Sequence, residues 1–406
     1  MLLGSSGGWA ALWHPVAPGR ARPARDRPRE RRYAAAMPTP SPPPVRALAV
    51  HLPQFHPIPE NDEWWGPGFT EWRNVVRARP LARWHHQPHV PADLGFCDLR
   101  VAETRQAQAD LARAHGIAGF LYYHYWFSGR RLLQRPVDEI LATGAPDFPF
   151  ALTWANEHWA RTWDGAADRV LVRQEYSDAD DLAHIRHLLP VFADPRYLRV
   201  DGRPLFCVYH AHSLPDPRRT TDRWREEAAR AGIGDLYLCR IEHDGGGDPG
   251  ALGFDAAIDF QPDFANLGRA MRRSIPERVL RRLRASPQIY RTHRVFDYAT
   301  VVDRMLARPP VGYTRFPGVT PGWDNTPRRA RQGIILRDAS PAEYERWLRA
   351  VLADFAPPRP DENLVVINAW NEWAEGNHLE PCQRWGRAYL EATARVLHER
   401  NGAPVG

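Results

Sequence analysis

Residues 101–126 read VAETRQAQADLARAHGIAGFLYYHYW. The first sixteen carry a helical pattern, closed by Gly116 where a helix C-terminus asks for glycine. They run straight into GIAGFLYYHYW, whose β-branched and aromatic density marks a strand. A helix that turns directly into a strand is the repeating unit of an α/β fold, and the chain repeats it.

Working outward, strand-like runs occur at 46-RALAVHLP, 148-FPFALTWAN, 204-PLFCVYH, 236-LYLCRIE, 253-GFDAAIDFQ, 312-GYTRFPGV and 363-NLVVINAWNE, which with 116-GIAGFLYYHYW makes eight. Helical patterns lie between or after them at 179-ADDLAHIRHLLPVF, 220-TTDRWREEAARAG, 340-SPAEYERWLRAVLADF and 385-WGRAYLEATARVLHER. Eight strands with mostly helical crossovers predict an α/β protein, a (β/α)8 TIM barrel over residues 46–400 as a single catalytic domain. A doubly wound sheet would place a glycine-rich phosphate loop after its first strand. Val50 leads instead into HLPQFHPIPENDEWWGPG, with no GxGxxG.

The 406 residues are 43% hydrophobic and 25% charged with a mean hydropathy of -0.53, a water-soluble globular composition. The net charge of +6 is local. Residues 1–45 hold seven Arg against Asp26 and Glu30, leaving the body near neutral, so a nucleic-acid partner is not expected. Gly19–Pro44 has almost nothing apolar to bury, and residues 1–45 are expected to form a disordered Arg/Pro-rich tail, with Met37 an alternative start. The N-terminus has its Arg run behind its apolar stretch, the wrong order for a secretory signal, and no window reaches the length of a spanning helix. Cytoplasmic residence without stable membrane insertion is the expectation. Cys97, Cys207, Cys239 and Cys382 form no CxxC pair and fit a reducing compartment.

In a barrel the chemistry gathers at the C-terminal ends of the strands. Strand 1 ends in His51, Gln54 and His56, followed by a loop with Trp64, Trp65, Glu71 and Trp72. Strand 2 ends in Tyr122, Tyr123, His124, Tyr125 and Trp126, and strand 3 in Trp154, Asn156, Glu157, His158 and Trp159. Strand 5 offers Glu242, strand 6 Asp259 and Gln261, and the strand 7 loop Trp323, Asp324 and Asn325. Strand 8 ends in Asn371, Glu372, Trp373, Glu375, His378 and Glu380. Each Trp has core packing as its alternative, each His a loop carbonyl to satisfy. Yet NAWNEWAEGNHLEP sets three carboxylates among tryptophans directly after LVVI, which solvent exposure does not explain.

No HExxH or comparable ligand pair points to a metal, no cofactor is expected, and no GxSxG elbow provides a nucleophile. Paired carboxylates in an aromatic cleft suit glycoside cleavage, one protonating the departing oxygen while the other assists attack at the anomeric carbon. Aromatic faces suit sugar C–H surfaces. Expected partners are therefore oligosaccharides or polysaccharides.

HLPQFHPIPENDEWWGPGFTEWRNV, QPHVPADLGFCDLR, GFLYYHYWF, LTWANEHWARTWDG, PGWDNTPRR and INAWNEWAEGNHLEP, spread from about Leu48 to about Glu391, resemble the WbsX-like family. That family bears the names glycosyltransferase and lipopolysaccharide O-antigen biosynthesis protein, and is similar to glycoside hydrolase family 99, the endo-α-mannosidases and endo-α-mannanases. The resemblance implies that Glu372 acts as base on the sugar 2-hydroxyl and Glu375 as general acid/base, in a retaining mechanism through a 1,2-anhydro sugar. Ala374 stands where the hydrolases usually carry His, which argues against simple transfer of mannosidase specificity. Glu380 is read as structural or subsite-forming.

The implied substrate is an α-linked, mannose-like or deoxy-sugar glycan of surface-polysaccharide type. Expected substrate-binding residues are His51, Gln54, Trp72, Tyr123, His124, Trp126, Trp154, Asn156, Trp159, Trp323, Asn325, Asn371, Trp373 and His378. A rival retaining pair, Glu157 as acid/base with Glu372 as nucleophile, stays open. So do a glycosyltransferase and a non-catalytic carbohydrate-binding barrel. Asp178–Asp181, DADD, reads as a capped helix start rather than a nucleotide-sugar DxD.

Overall fold

Eight parallel strands close on themselves in chain order. They are β1 Arg46–His51, β2 Ile117–Phe127, β3 Phe150–Trp154, β4 Arg203–Val208, β5 Tyr237–Glu242, β6 Ala256–Asp259, β7 in two pieces, Arg315–Phe316 and Gly318–Val319, and β8 Leu364–Ile367. The structure, a computed structural model, describes residues 44–161, 166–243, 246–271 and 289–402. Residues 1–43, nearly all of the expected tail, lie outside the described residues. Val45, placed at the tail's end by the sequence reading, is already buried, and its N–H donates to Asn401 Oδ1 at 2.7 Å.

Closure depends on β7. Its first piece pairs with β6, Ile258 opposite Phe316, and its second with β8, Gly318 opposite Val366. Pro317, which has no N–H to donate, sits where the strand changes partner, and its carbonyl accepts from Val366 N at 2.9 Å. A Cβ at Gly318 would stand 1.8 Å from the Asp259 carbonyl oxygen, so only glycine permits the crossing. β8 returns to β1 with Ala47 opposite Val365. The predicted TIM barrel is thus the observed fold.

The crossovers form because their sequences are amphipathic and capped. Ala102–Ala114 buries Arg105, Gln108, Ala109 and Ala112, spaced three and four apart. Asp178–Phe192 is capped by the Ser177 hydroxyl, which accepts from Asp180 N at 3.1 Å, so DADD does open a helix. Pro217–Arg230 is capped by Asp216, and Pro341–Asp354 by Ser340, the latter burying Tyr344, Trp347, Leu348 and Leu352. Arg135–Thr143, Tyr298–Leu306 and Ala388–Asn401 are further helices between or after the strands.

Inside the barrel, Val50, Thr153, Ile241, Ile258 and Val366 meet around a small space. Tyr123, Tyr209, Phe260 and Asn368 border both this space and a large cleft. The packed interior ends where the cleft begins, at the C-terminal ends of the strands. All four cysteines are buried and free, and no described helix is long and apolar enough to cross a membrane.

Candidate active site

The cleft holds about 620 Å³. Trp64 and Trp65, from the short helix Pro59–Trp65 after β1, line it with Trp159, Tyr123 and Tyr125, while Trp323, Asn325, Arg328 and Arg329 come from the loop after β7. Trp159 packs edge-on against Trp64 and Tyr125 at 5.9 and 5.1 Å. Gln54 Nε2, both polar atoms of Asn61, Trp323 Nε1 and Asn368 Oδ1 are buried at this wall without a protein partner among the described residues. Burying such groups unpaired is unfavourable.

Beyond Ile367 the chain forms a short hairpin, Asn371–Glu372 pairing with Asn377–His378 around the turn Trp373–Glu375. Gly376 ends the turn at φ 59, with room for a Cβ only 3.1 Å from Asp324 Cβ. Asp324 N donates to the Glu375 carbonyl at 2.6 Å, locking the hairpin to the β7 loop. Both ends of the turn therefore present a glutamate to the cleft.

One guanidinium holds both. Arg328 Nη2 donates to Glu372 Oε2 at 2.9 Å, Nη1 pairs with Glu375 Oε1 at 2.8 Å, and Nε donates to Glu71 Oε1 at 2.7 Å. Fully ionised, three carboxylates around one cation would leave a net charge of minus two in a buried place. Burial raises the proton affinity of Glu372 to about 8 against the pull of Arg328, with Glu375 and Glu71 adding to the rise. Glu375 is raised by burial too, Arg328 again opposing. Burial thus favours the protonated form at both glutamates, with the Arg328 charge opposing it at each.

Glu157 lines the same cleft but differs in setting. Its side chain is 57% exposed against 7% for Glu372, and its carboxylate lies 3.1 Å from His210 Nε2 rather than on Arg328.

Of the expected substrate-binding residues, Gln54, Tyr123, Trp159, Trp323 and Asn325 line the cleft. The others are corrected to packing positions behind it. His51 is buried among Phe120, Tyr122 and Gln108, and burial lowers its pKa to about 3. His124 and Trp126 stack on His184 and His187, and Trp154 packs on His184 and Trp224, all on the outer face of β2 and β3 under the helices. Asn156 clamps His210 N and carbonyl and so supports Glu157's partner. Asn371 bonds the backbone of Leu52 from both its side-chain ends, fastening the hairpin to β1. Trp72 packs against Phe55 and Trp373. Trp373 stacks on His378 at 3.7 Å, and His378 Nδ1 donates to the Glu380 carbonyl.

Glu380 is structural: its carboxylate accepts from Gln108, Trp370 and Trp373. Glu242 and Asp259, also noted at strand ends, are tied to Arg240 and Arg315 and to Arg308. Sequence reading did not single out Arg328, although its motif was legible. The available signal was that three carboxylates near one cleft require a buried cation.

Residues 47–393 match the protein family described as Glycosyltransferase WbsX. The chain belongs to that family. The WbsX-family chain is 46% identical over 356 residues to the protein WxcX of Xanthomonas campestris pv. campestris strain B100, and as similar to WxcX of strain ATCC 33913. Each match covers 87% of this chain and 50% of the relative, so the chain spans about half the length of the curated relatives it matches. Among solved structures it is similar to the GH99 endo-α-mannosidase from Bacteroides thetaiotaomicron, with a TM-score of 0.53 at 14% identity over 88% of this chain and 98% of that one. A glycoside hydrolase-like protein gives 0.52 at 14% identity over 90% and 97%. At such identity these likenesses speak for the fold.

Proposed function

We propose that this WbsX-family protein is a retaining glycoside hydrolase, or a transglycosylase by the same chemistry, acting on α-linked mannose-like or deoxy-sugar glycans of surface-polysaccharide type. The observation that carries the reading is the grip of one guanidinium on Glu372 and Glu375 at the cleft, in a buried setting that raises the proton affinity of both.

In the substrate complex the reading places a proton on Glu375 and leaves Glu372 ionised, so that Glu372, as carboxylate, takes the proton of the sugar 2-hydroxyl while O2 forms a bond to C1. The bond from C1 to the leaving oxygen breaks, and that oxygen takes its proton from Glu375. Water then adds to C1 as the C1–O2 bond breaks, Glu375 recovers a proton from the water, and Glu372 returns its proton to O2. Two inversions give retention. The 2-oxygen must lie trans to the leaving group, a requirement that an α-manno-like configuration meets with both oxygens axial. Gln54, Asn61, Trp323 and Asn368 place polar side chains on the lining for hydroxyl contacts, and Trp64, Trp65 and Trp159 supply aromatic faces.

The family's description favours a second reading, glycosyl transfer from an activated donor. Incubation with defined α- and β-linked oligosaccharides, with and without nucleotide sugars, separates the two. Release of sugar from α-linked substrates without a nucleotide, abolished in Glu372→Gln, is expected. Turnover only with a nucleotide donor, or only of β-linkages, would overturn the hydrolase reading.

A further inference from the structure

The acidic side chains of the cleft are already committed: Glu372 and Glu375 to Arg328, and Glu157 to His210. Two cations on its lining are not. Arg294 and Arg329 are both exposed and both line the cleft. Neither has an ion pair or side-chain hydrogen bond among the described residues, and Arg294 only lies over the Phe296 ring at 5.2 Å. A pair of uncommitted guanidiniums on the lining of an aromatic-walled cleft has no role in the chemistry above.

Their backbone supports are firm. Arg294 pairs in register with Ile334 on a two-stranded sheet, its N–H donating to the Gly333 carbonyl at 2.8 Å. Arg329 sits in the tight turn after Asn325, its N–H donating to the Thr326 carbonyl at 3.3 Å. Gln332 N donates to the Thr292 carbonyl at 2.7 Å, tying the segment before Arg294 to the segment after Arg329. The two side chains thus project from one cross-linked wall. Arg329 also lies close enough to Glu375 for its charge to oppose, after burial and Arg328, the rise in that group's proton affinity.

We propose that Arg294 and Arg329 form an anion subsite on the Glu375 side of the cleft, which receives a carboxylate or phosphate carried on the leaving-group part of the substrate. Planar guanidiniums meet such groups with paired charge-assisted hydrogen bonds, so the subsite selects acidic over neutral ligands. The side assignment rests on Glu375 being the acid/base; the anion preference does not. The anionic oxygens have two sources, an acidic sugar in a glycan or the diphosphate of a nucleotide sugar.

The test measures dissociation constants for three probes on the full chain: α-mannosyl-glucose, α-mannosyl-glucuronic acid and GDP-mannose. At least one anionic probe is expected to bind about tenfold or more tighter than the neutral disaccharide at low salt. The preference should shrink on raising NaCl from about 50 to about 500 mM and collapse toward unity in Arg294→Gln/Arg329→Gln. A stronger glucuronide identifies a glycan source, a stronger GDP-mannose a nucleotide source, and either supports the subsite. Equal binding of all three probes, a preference insensitive to salt, or a double variant that keeps the preference or weakens all probes alike would overturn it. Because binding is read without turnover, the preference survives or fails independently of whether Glu372→Gln loses activity.

Discussion

Replacing Arg328 with Gln leaves three carboxyls facing one another with no cation between them, and the consequence depends on pH. Glu372 holds its proton up to about 8 in the folded protein, well above the ordinary carboxyl range. The folded state therefore retains a proton that the unfolded chain releases. That contribution to stability is intact below the ordinary range and is lost as pH climbs toward 8. Thermal unfolding of the native protein should show Tm falling from pH 5 to pH 8.5, with Glu372→Gln flattening the slope; parallel curves would contradict the burial argument. In Arg328→Gln the proton affinities rise further, so its deficit, about 3–5 kcal/mol for a broken buried pair, should widen with pH. Four residues that sequence reading misplaced, His51, His124, Trp126 and Trp154, share one cause. Along β2, Tyr123 and Tyr125 face the cleft while His124 and Trp126 face the helices, and composition at a strand end does not say which alternate member points inward.

At the scale of elements, all eight strands were legible from their β-rich runs, and five of the helices from their spacing, whereas the nine-residue helices Arg135–Thr143 and Tyr298–Leu306 were not singled out. What was not legible was the crossing of β7 at Gly318, where the chain approaches the Asp259 carbonyl of β6 too closely for a Cβ, a contact that no local pattern encodes. Gly318→Ala should destabilise by about 3 kcal/mol or more, since the clash is with backbone and cannot be relieved by a side-chain rotation. Urea unfolding would measure it, and a loss below about 1 kcal/mol would mean that closure tolerates a wider crossing. Ser340→Ala, by contrast, removes one cap bond and should lose only about 1 kcal/mol.

Over the whole molecule, the barrel brings a glutamate pair from the β8 hairpin, a guanidinium from the β7 loop and aromatic walls from the β1 and β3 loops to one rim. The hairpin was readable as a carboxylate cluster, whereas the partnership with Arg328 spans 44 residues and exists only once the strands close. The account stands on Glu375 donating a proton to the departing oxygen. The most direct measurement is the activity of Glu375→Gln on an α-linked oligosaccharide relative to an aryl α-glycoside whose phenol departs without protonation. A loss of roughly 10²-fold or more on the oligosaccharide with little loss on the aryl glycoside is predicted. Equal losses on both, or none on either, would contradict it.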